Sequence, residues 1–250
     1  MRVIKVGGRA QGDAALPRAL VAAWRAAPGS LVVVHGGGDE VSALQRALGG
    51  EPTFSGGRRV TTARDLEAVR MVLSGTINKR LVAQLREVQA VGISGEDGGL
   101  LEAIVTDASL GCVGTPHRVN PAVLARLLTG GFLPVVSPVG RDAHHAEAAG
   151  LNVNGDDAAA AIAAALAADE LLLIADVEGV LDEGALVPTL DRGQALALII
   201  SGVAGGGMAA KLQAACAALD GGVTRVRIGS IAAITDSSAG TLLSPAPHTA

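Results

Sequence analysis

Two lysines, one near each end of the chain, each stand beside a run of glycines. Lys5 lies in VIKVGG, upstream of LVVVHGGG at 31–38, and Lys211 lies in GGGMAAK at 205–211. Glycine lets backbone N–H groups approach an anion closely, and a neighbouring ammonium adds a full positive charge. One such site is common. Two suggest a pair of clamps on a transferring phosphoryl group, a reaction that depends on positioning and charge neutralisation. Lys5 follows the apolar strand residues Val3 and Ile4, where an unpartnered charge is costly. The adjacent Gly7–Gly8 favours an anion site over a lysine that only snorkels to solvent. Gly36, Gly37 and Gly38 lie between a strand and a helix, a junction that presents N–H groups and the positive helix end. Their spacing is neither the GKS/T P-loop nor the GxGxxG dinucleotide fingerprint.

Arginine's planar fork grips a carboxylate through two hydrogen bonds, and Arg59, with Arg58 and Arg64 as neighbours, is a candidate for that role. In LNVNGDDAA, Asn152, Asn154 and Asp156 fall at alternate positions and would share one face of an extended segment. The competing reading is a helix N-cap made by Asn154 or Asp156. Lys211, one turn inside a glycine-initiated helix, can reach an anion at that N-terminus. His35 reads as structural rather than catalytic.

The elements that must hold these groups alternate. MRVIKV, SLVVVHG, AVGIS, LPVVSPV, ELLLIADV and TRVRIGS read as strands buried on both faces of a parallel sheet. Helical stretches fall near 13–26, 39–48, 62–88, 120–130, 155–168, 191–200 and 207–219, and Thr62 with Asp65 can cap the third. The pattern predicts α/β architecture, a three-layer αβα sandwich around a mostly parallel sheet. Residues 99–119 lack a helix period and predict antiparallel hairpins that extend the sheet or cover the site. No disordered linker or internal repeat is evident. Two lobes are expected: 1–150 for the acceptor and dimerisation, 151–250 for the nucleotide.

Composition narrows the class. The 250 residues carry a net charge of −4 with scattered basic residues, which leaves no nucleic-acid footprint. There is no Tyr, one Trp and two Phe, too few for aromatic stacking platforms. Apolar runs are broken by charge or glycine before reaching membrane-spanning length. Cys112 and Cys216 lack disulfide or metal spacing, so a soluble protein of the reducing cytoplasm is expected, with no metal-ligating residue set. The first residues already read as a strand, leaving no room for a signal peptide.

In order, the chain carries KVGG (5–8), VHGGG (34–38), F-x-x-G-x-R-x-T (Phe54, Gly57, Arg59, Thr61) and MVLSGTINK (71–79). GISGEDGGL (92–100), LGCVG (110–114) with VN (119–120), LNVNGDDAA (151–159), DVEGVL (176–181) and GGGMAAK follow. This series resembles the amino acid kinase family over nearly the whole length. The resemblance implies transfer of the ATP γ-phosphoryl, with Mg²⁺, to the side-chain carboxylate of N-acetyl-L-glutamate, giving an acyl phosphate in arginine biosynthesis. It implies that Lys5 and Lys211 are catalytic, that Asp156 orients both, and that Gly37, Gly38, Arg59 and Asn152 bind the acceptor. Nucleotide contacts are implied at Gly8, Asp176, Gly179, Gly207 and Met208. A carrier-protein-linked aminoadipate or glutamate, or N-succinylglutamate, stays open as the acceptor. A catalytically dead sensor is disfavoured by the presence of Lys5, Asp156 and Lys211, and a dehydrogenase by the glycine spacing. Because the first strand begins at Met1, a homodimer without arginine feedback is expected, with the 62–88 helix in its interface.

Overall fold

The computed structural model describes residues 1–145, 147 and 150–245. From the N-terminus, β1 (Arg2–Val6) leads through α1 (Ala15–Ala26) to β2 (Leu31–His35), and α2 (Gly38–Ala47) follows at once. A hairpin of two very short strands, β3 (Phe54–Ser55) and β4 (Arg58–Arg59), comes next. The long helical segment then comprises α3 (Ala63–Arg70), a π-helical stretch over Met71–Ile77, and α4 (Asn78–Gln84). Three strands, β5 (Ala90–Ser94), β6 (Leu101–Ile104) and β7 (Val113–Val119), precede α5 (Ala122–Thr129). After β8 (Leu133–Ser137), β9 (Val139–Asp142) and β10 (Leu151–Val153), the chain enters α6 (Gly155–Ala165) and β11 (Glu170–Ile174). The last part holds β12 (Leu181–Asp182), β13 (Ala185–Leu186), β14 (Thr189–Leu190), α7 (Arg192–Ile200), α8 (Gly206–Asp220), β15 (Arg225–Gly229) and β16 (Thr241–Leu243).

Short runs of Val, Leu and Ile are too brief for helices and too apolar for solvent, so they pair into a sheet covered on both faces. Eight strands do so in the order β14-β16-β15-β11-β1-β2-β8-β5. Every neighbouring pair is parallel except β15–β16. All residues of β2, β8 and β11 are buried. β1 lies between β2, from the earlier part of the chain, and β11, from the later part, so the strand order reverses around it. In open α/β sheets ligands bind in the crevice beyond the strand C-termini at such a reversal. Lys5, Gly36 and Asp176 sit at or just past those ends.

Helices α6 and α8 are rich in alanine, with Ala158, Ala159, Ala163, Ala214, Ala215 and Ala218 in the core. Small side chains let the two helices pack closely, which brings the first turn of α8 near that of α6. Thr62 caps α3 with Asp65 in a reciprocal capping box.

Two expectations need correction. Strands β6 and β7 are antiparallel, but they neither extend the main sheet nor form a free flap. They close with β9 and β10 into a four-stranded barrel, because β10 pairs with both β7 and β9 and leaves no open edge. The extended segment through Asn152 also stops early. Asn154 turns the chain into α6 by accepting hydrogen bonds from the N–H groups of Asp156 (2.8 Å) and Asp157 (3.3 Å), so Asp156 is helical. The N-cap reading holds there.

Candidate active site

At the C-terminal edge of the sheet, Asp156 lies between the two lysines. Lys5 Nζ is 2.8 Å from Asp156 Oδ1, and Lys211 Nζ is 3.3 and 3.2 Å from its two oxygens. All three side chains are nearly buried, at 9, 13 and 7 % exposure for Lys5, Lys211 and Asp156. Burial opposes ionisation of Asp156, yet the two ammoniums hold its carboxyl below the usual carboxylate range. Burial, with repulsion from Lys5, pushes the Lys211 ammonium down. Two cations on one carboxylate leave the cluster with an excess positive charge facing the cavities.

There are two such cavities, and they share a wall. The first, about 230 Å³, is bordered by the hairpin residues Phe54, Gly57, Arg58 and Arg59 and by the turn Asn152–Asp156. The second, about 520 Å³, is bordered by Ala175, Asp176, Gly207, Met208 and Lys211. Lys5, Gly8 and Gly38 line both. Three helices begin at these rims: α2 at Gly38, α6 at Gly155 and α8 at Gly206. The dipoles of all three, and the uncapped first-turn N–H groups of α2 and α8, favour anions there.

The glycines have separable causes. Gly37 has φ 155° and ψ 33°, and a Cβ on it would run into Ile77 Cδ1 and lie 2.9 Å from Leu73 Cδ2. The loop is thus pressed onto the π-helical segment and only glycine fits. Gly205 and Gly207 face open space, so packing does not demand them, whereas a close-lying anion would. His35 anchors the loop from below. Its Nδ1–H donates to the Gly36 carbonyl at 3.0 Å, and its Nε2 accepts from Asn78 Nδ2 at 3.2 Å. Burial, opposed by the Gly36 hydrogen bond and aided by Lys5, lowers the His35 pKa to about 4, so the ring is neutral.

Arg59 is buried beneath the hairpin. It donates to Gln45 Oε1, to the Gly38 carbonyl (2.7 Å) and to Ser42 Oγ (2.8 Å), and stacks 4.7 Å from the Phe54 ring centroid. Asn152 Nδ2 donates to Thr61 Oγ1 at 3.0 Å and faces the first cavity. Phe54 shares a motif with Arg59, but Gln45 and Ser42 were not evident as parts of this grip. Their only signal is their i, i+3 placement in α2. Asp176 lines the second cavity and pairs with Arg9 at 3.2 Å. Gly179 stands apart from both cavities. A Cβ there would meet Leu186 Cδ1 at 2.5 Å and Thr241 Oγ1 at 2.6 Å, so its glycine is explained by packing of the β12–β13 hairpin on β16.

Among the described residues no group of three or more His, Cys, Asp or Glu is placed to hold a metal ion. The one buried carboxylate between the cavities is engaged by two lysines. The residues present therefore do not fit a protein-held cation.

The amino acid kinase family model matches residues 1–230. The chain belongs to the amino acid kinase family. Similar family members include an acetylglutamate kinase of Roseiflexus castenholzii, 44 % identical over 239 residues, covering 92 % of this chain and 89 % of the relative. An acetylglutamate kinase of Ruegeria pomeroyi is 43 % identical over 232 residues, covering 90 % and 80 %. Among solved structures, a protein of Streptococcus mutans UA159 superposes with TM-score 0.86 at 29 % identity, covering 97 % of this chain and 98 % of that one. N-acetylglutamate synthase from Neisseria gonorrhoeae, complexed with coenzyme A and N-acetyl-glutamate, gives 0.80 at 25 % identity, covering 97 % and 59 %. The α/β architecture expected of the family is the one observed.

Proposed function

We propose that this chain transfers the γ-phosphoryl of ATP to the side-chain carboxylate of N-acetyl-L-glutamate, forming N-acetylglutamyl 5-phosphate in arginine biosynthesis. The observation that carries the reading is the shared wall. Two cavities meet at Lys5, Gly8 and Gly38, with Lys211 on one side and Asp156 behind, as a transfer between two bound anions requires. The relatives over nearly the full length are acetylglutamate kinases.

In this reading the acceptor occupies the first cavity and ATP the second, in N- and C-terminal lobes divided near residue 150. Arg59 and Asn152 hold the acceptor. Its carboxylate oxygen attacks the γ-phosphorus while the bond to the β,γ-bridging oxygen breaks, and ADP leaves with the electron pair. No proton moves, so no base is needed. Lys5 and Lys211 neutralise the repulsion between carboxylate and polyphosphate, and the Gly37 and Gly38 amides and helix N-termini stabilise the equatorial oxygens. Asp156 fixes both ammoniums. Any Mg²⁺ would arrive on the nucleotide phosphates, as this cation commonly does.

A carrier-linked acceptor would need an exposed basic surface. Arg58 is paired with Asp157, Arg80 with Glu40, and Arg64 and Lys79 donate to the carbonyls of Leu48 and Gly92, which argues against it. A second copy of this chain is the proposed partner. Met71, 58 % exposed on the π-helical segment, and the sheet-edge strand β5 offer a face for it. No described helix is long and apolar enough to cross a membrane, and both cysteines are unpaired; a cytoplasmic location is proposed. The test is an ATP-dependent hydroxamate assay with N-acetylglutamate, N-succinylglutamate, glutamate and N-acetylaminoadipate. Selective turnover of N-acetylglutamate is expected, and silence on all four despite ATP binding would refute the reading.

A further inference from the structure

The β3–β4 hairpin is held by two successive arginines that reach different elements. Neighbouring strand residues point to opposite faces. Arg59 is anchored to α2, whereas Arg58 Nη2 donates to Asp157 Oδ2 at 2.7 Å, in the first turn of α6. The Arg58 and Asp157 side chains are 34 and 19 % exposed, so water screens this ion pair less than an ordinary surface one. The phosphoryl-transfer chemistry uses neither group. Burial pushes the Asp157 carboxyl up and Arg58 works against that. The hairpin and the Asn152–Asp156 turn are two walls of the first cavity, and this pair bridges them. At about 230 Å³ this cavity lies below the roughly 300–1,000 Å³ of common ligand pockets.

We propose that Arg58 and Asp157 form a latch across the acceptor cavity, holding the hairpin shut over a small acylated acid and selecting against longer acyl groups. The proposal rests on the acceptor reading above. An acceptor with a short acyl group fits behind the closed pair. One with a longer chain, or one tethered to a carrier, must part it and lose a charge-assisted hydrogen bond. The latch therefore governs acceptor affinity and selectivity rather than the transfer step. Asp157 adjoins Asp156, so opening of the hairpin is felt one residue from the carboxylate that orients both lysines.

The experiment is steady-state kinetics on the full chain for the wild type, Arg58→Ala, Asp157→Asn, their double variant and Arg58→Lys. N-acetyl-, N-butyryl- and N-succinylglutamate serve as acceptors, and thermal melts establish that each variant is folded. Either single neutralisation should raise KM for N-acetylglutamate about tenfold, the loss expected for one charge-assisted contact, with kcat and KM for ATP shifting less than about threefold. The double variant should be no worse than the poorer single one, and Arg58→Lys should recover most of the affinity. The ratio of kcat/KM for N-butyryl- to N-acetylglutamate should rise in both singles. An unchanged ratio, losses that multiply in the double variant, or a fall in kcat at constant KM would overturn the latch. Should Arg58→Ala fail to fold, Asp157→Asn carries the same test. A wild type inactive on every acylglutamate would refute the acceptor reading instead.

Discussion

Replacing Lys211 with Met separates catalysis from stability. The cluster holds two ammoniums on one carboxylate, and the shorter contact, 2.8 Å, belongs to Lys5. Removing Lys211 leaves a neutral buried pair where there was an excess positive charge. Burial and Lys5 lower the Lys211 pKa from 10.5. A lysine that binds its proton less well when folded opposes folding at neutral pH, and that cost fades as pH rises from the lowered folded value toward the unfolded one. Methionine fills a similar volume without the charge. The stability change at pH 7 should thus be within about 1 kcal/mol and toward stabilisation. Catalysis should respond very differently. Loss of one preorganised donor to the transferring group costs about 2.7–4 kcal/mol, or roughly 10²–10³ in kcat. The hydroxamate assay reads kcat and KM for N-acetylglutamate, calorimetric melting reads stability, and KM should stay within about threefold. A melting temperature lowered by many degrees, or a kcat within tenfold of wild type, would refute this account of the cluster.

Gly37→Ala should destabilise by about 2–4 kcal/mol, from backbone strain plus the clash with Ile77 and Leu73, and should depress kcat; urea unfolding indistinguishable from wild type would contradict it. His35 titrates at about 4 when folded and near 6.5 when unfolded, so the unfolded chain binds more protons between these values and stability falls as pH drops. From pH 7.5 to pH 5 the wild type should lose about 2 kcal/mol more than a His35→Gln variant, measured by urea titration. Arg59→Lys keeps the charge but loses the planar fork, and should raise KM for the acceptor at least about tenfold. An unaltered KM would place the acceptor elsewhere.

Elements with a strong local signal were legible in the chain. The strands holding Lys5, His35 and Leu172 are short runs dominated by Val, Ile and Leu, and their parallel pairing follows from the intervening helices. The Thr62 cap was readable because its partner Asp65 is three residues away. The convergence of Lys5, Lys211 and Asp156 was suggested by glycine context and family resemblance, while the contacts between them depend on the close approach of two alanine helices. The β3–β4 hairpin was missed because its strands have two residues each, although the Gly56–Gly57 pair, both at positive φ, is a hairpin-turn signal. Barrel closure by β10 depends on partners far along the chain, and no local pattern near Asn152 encodes it. Gly179 has a packing reason of its own that the sequence does not display, because a glycine after a strand looks the same whether a ligand or the Thr241 side chain lies above it.

The π-helical stretch over Met71–Ile77 has a consequence for tolerated sequence change. Ser74, Gly75 and Thr76 are weak helix formers, which suits a wide turn, and the turn admits more residues than an ordinary helix of equal rise. That surplus lets Ile77 bear on Gly37 while the next residue, Asn78, reaches His35 Nε2 and the Val135 carbonyl. Deleting one residue from 74–76 would let the helix regularise with α4 in nearly its present phase, because the wide turn already absorbs the surplus; the same deletion in an ordinary α-helix would turn everything downstream by about 100°. Asn78 would then still face the imidazole and the Val135 carbonyl, and Leu73 would still line the first cavity. The stretch is thus a place where the chain can lose a residue without turning the helix that supports the glycine loop at 36–38.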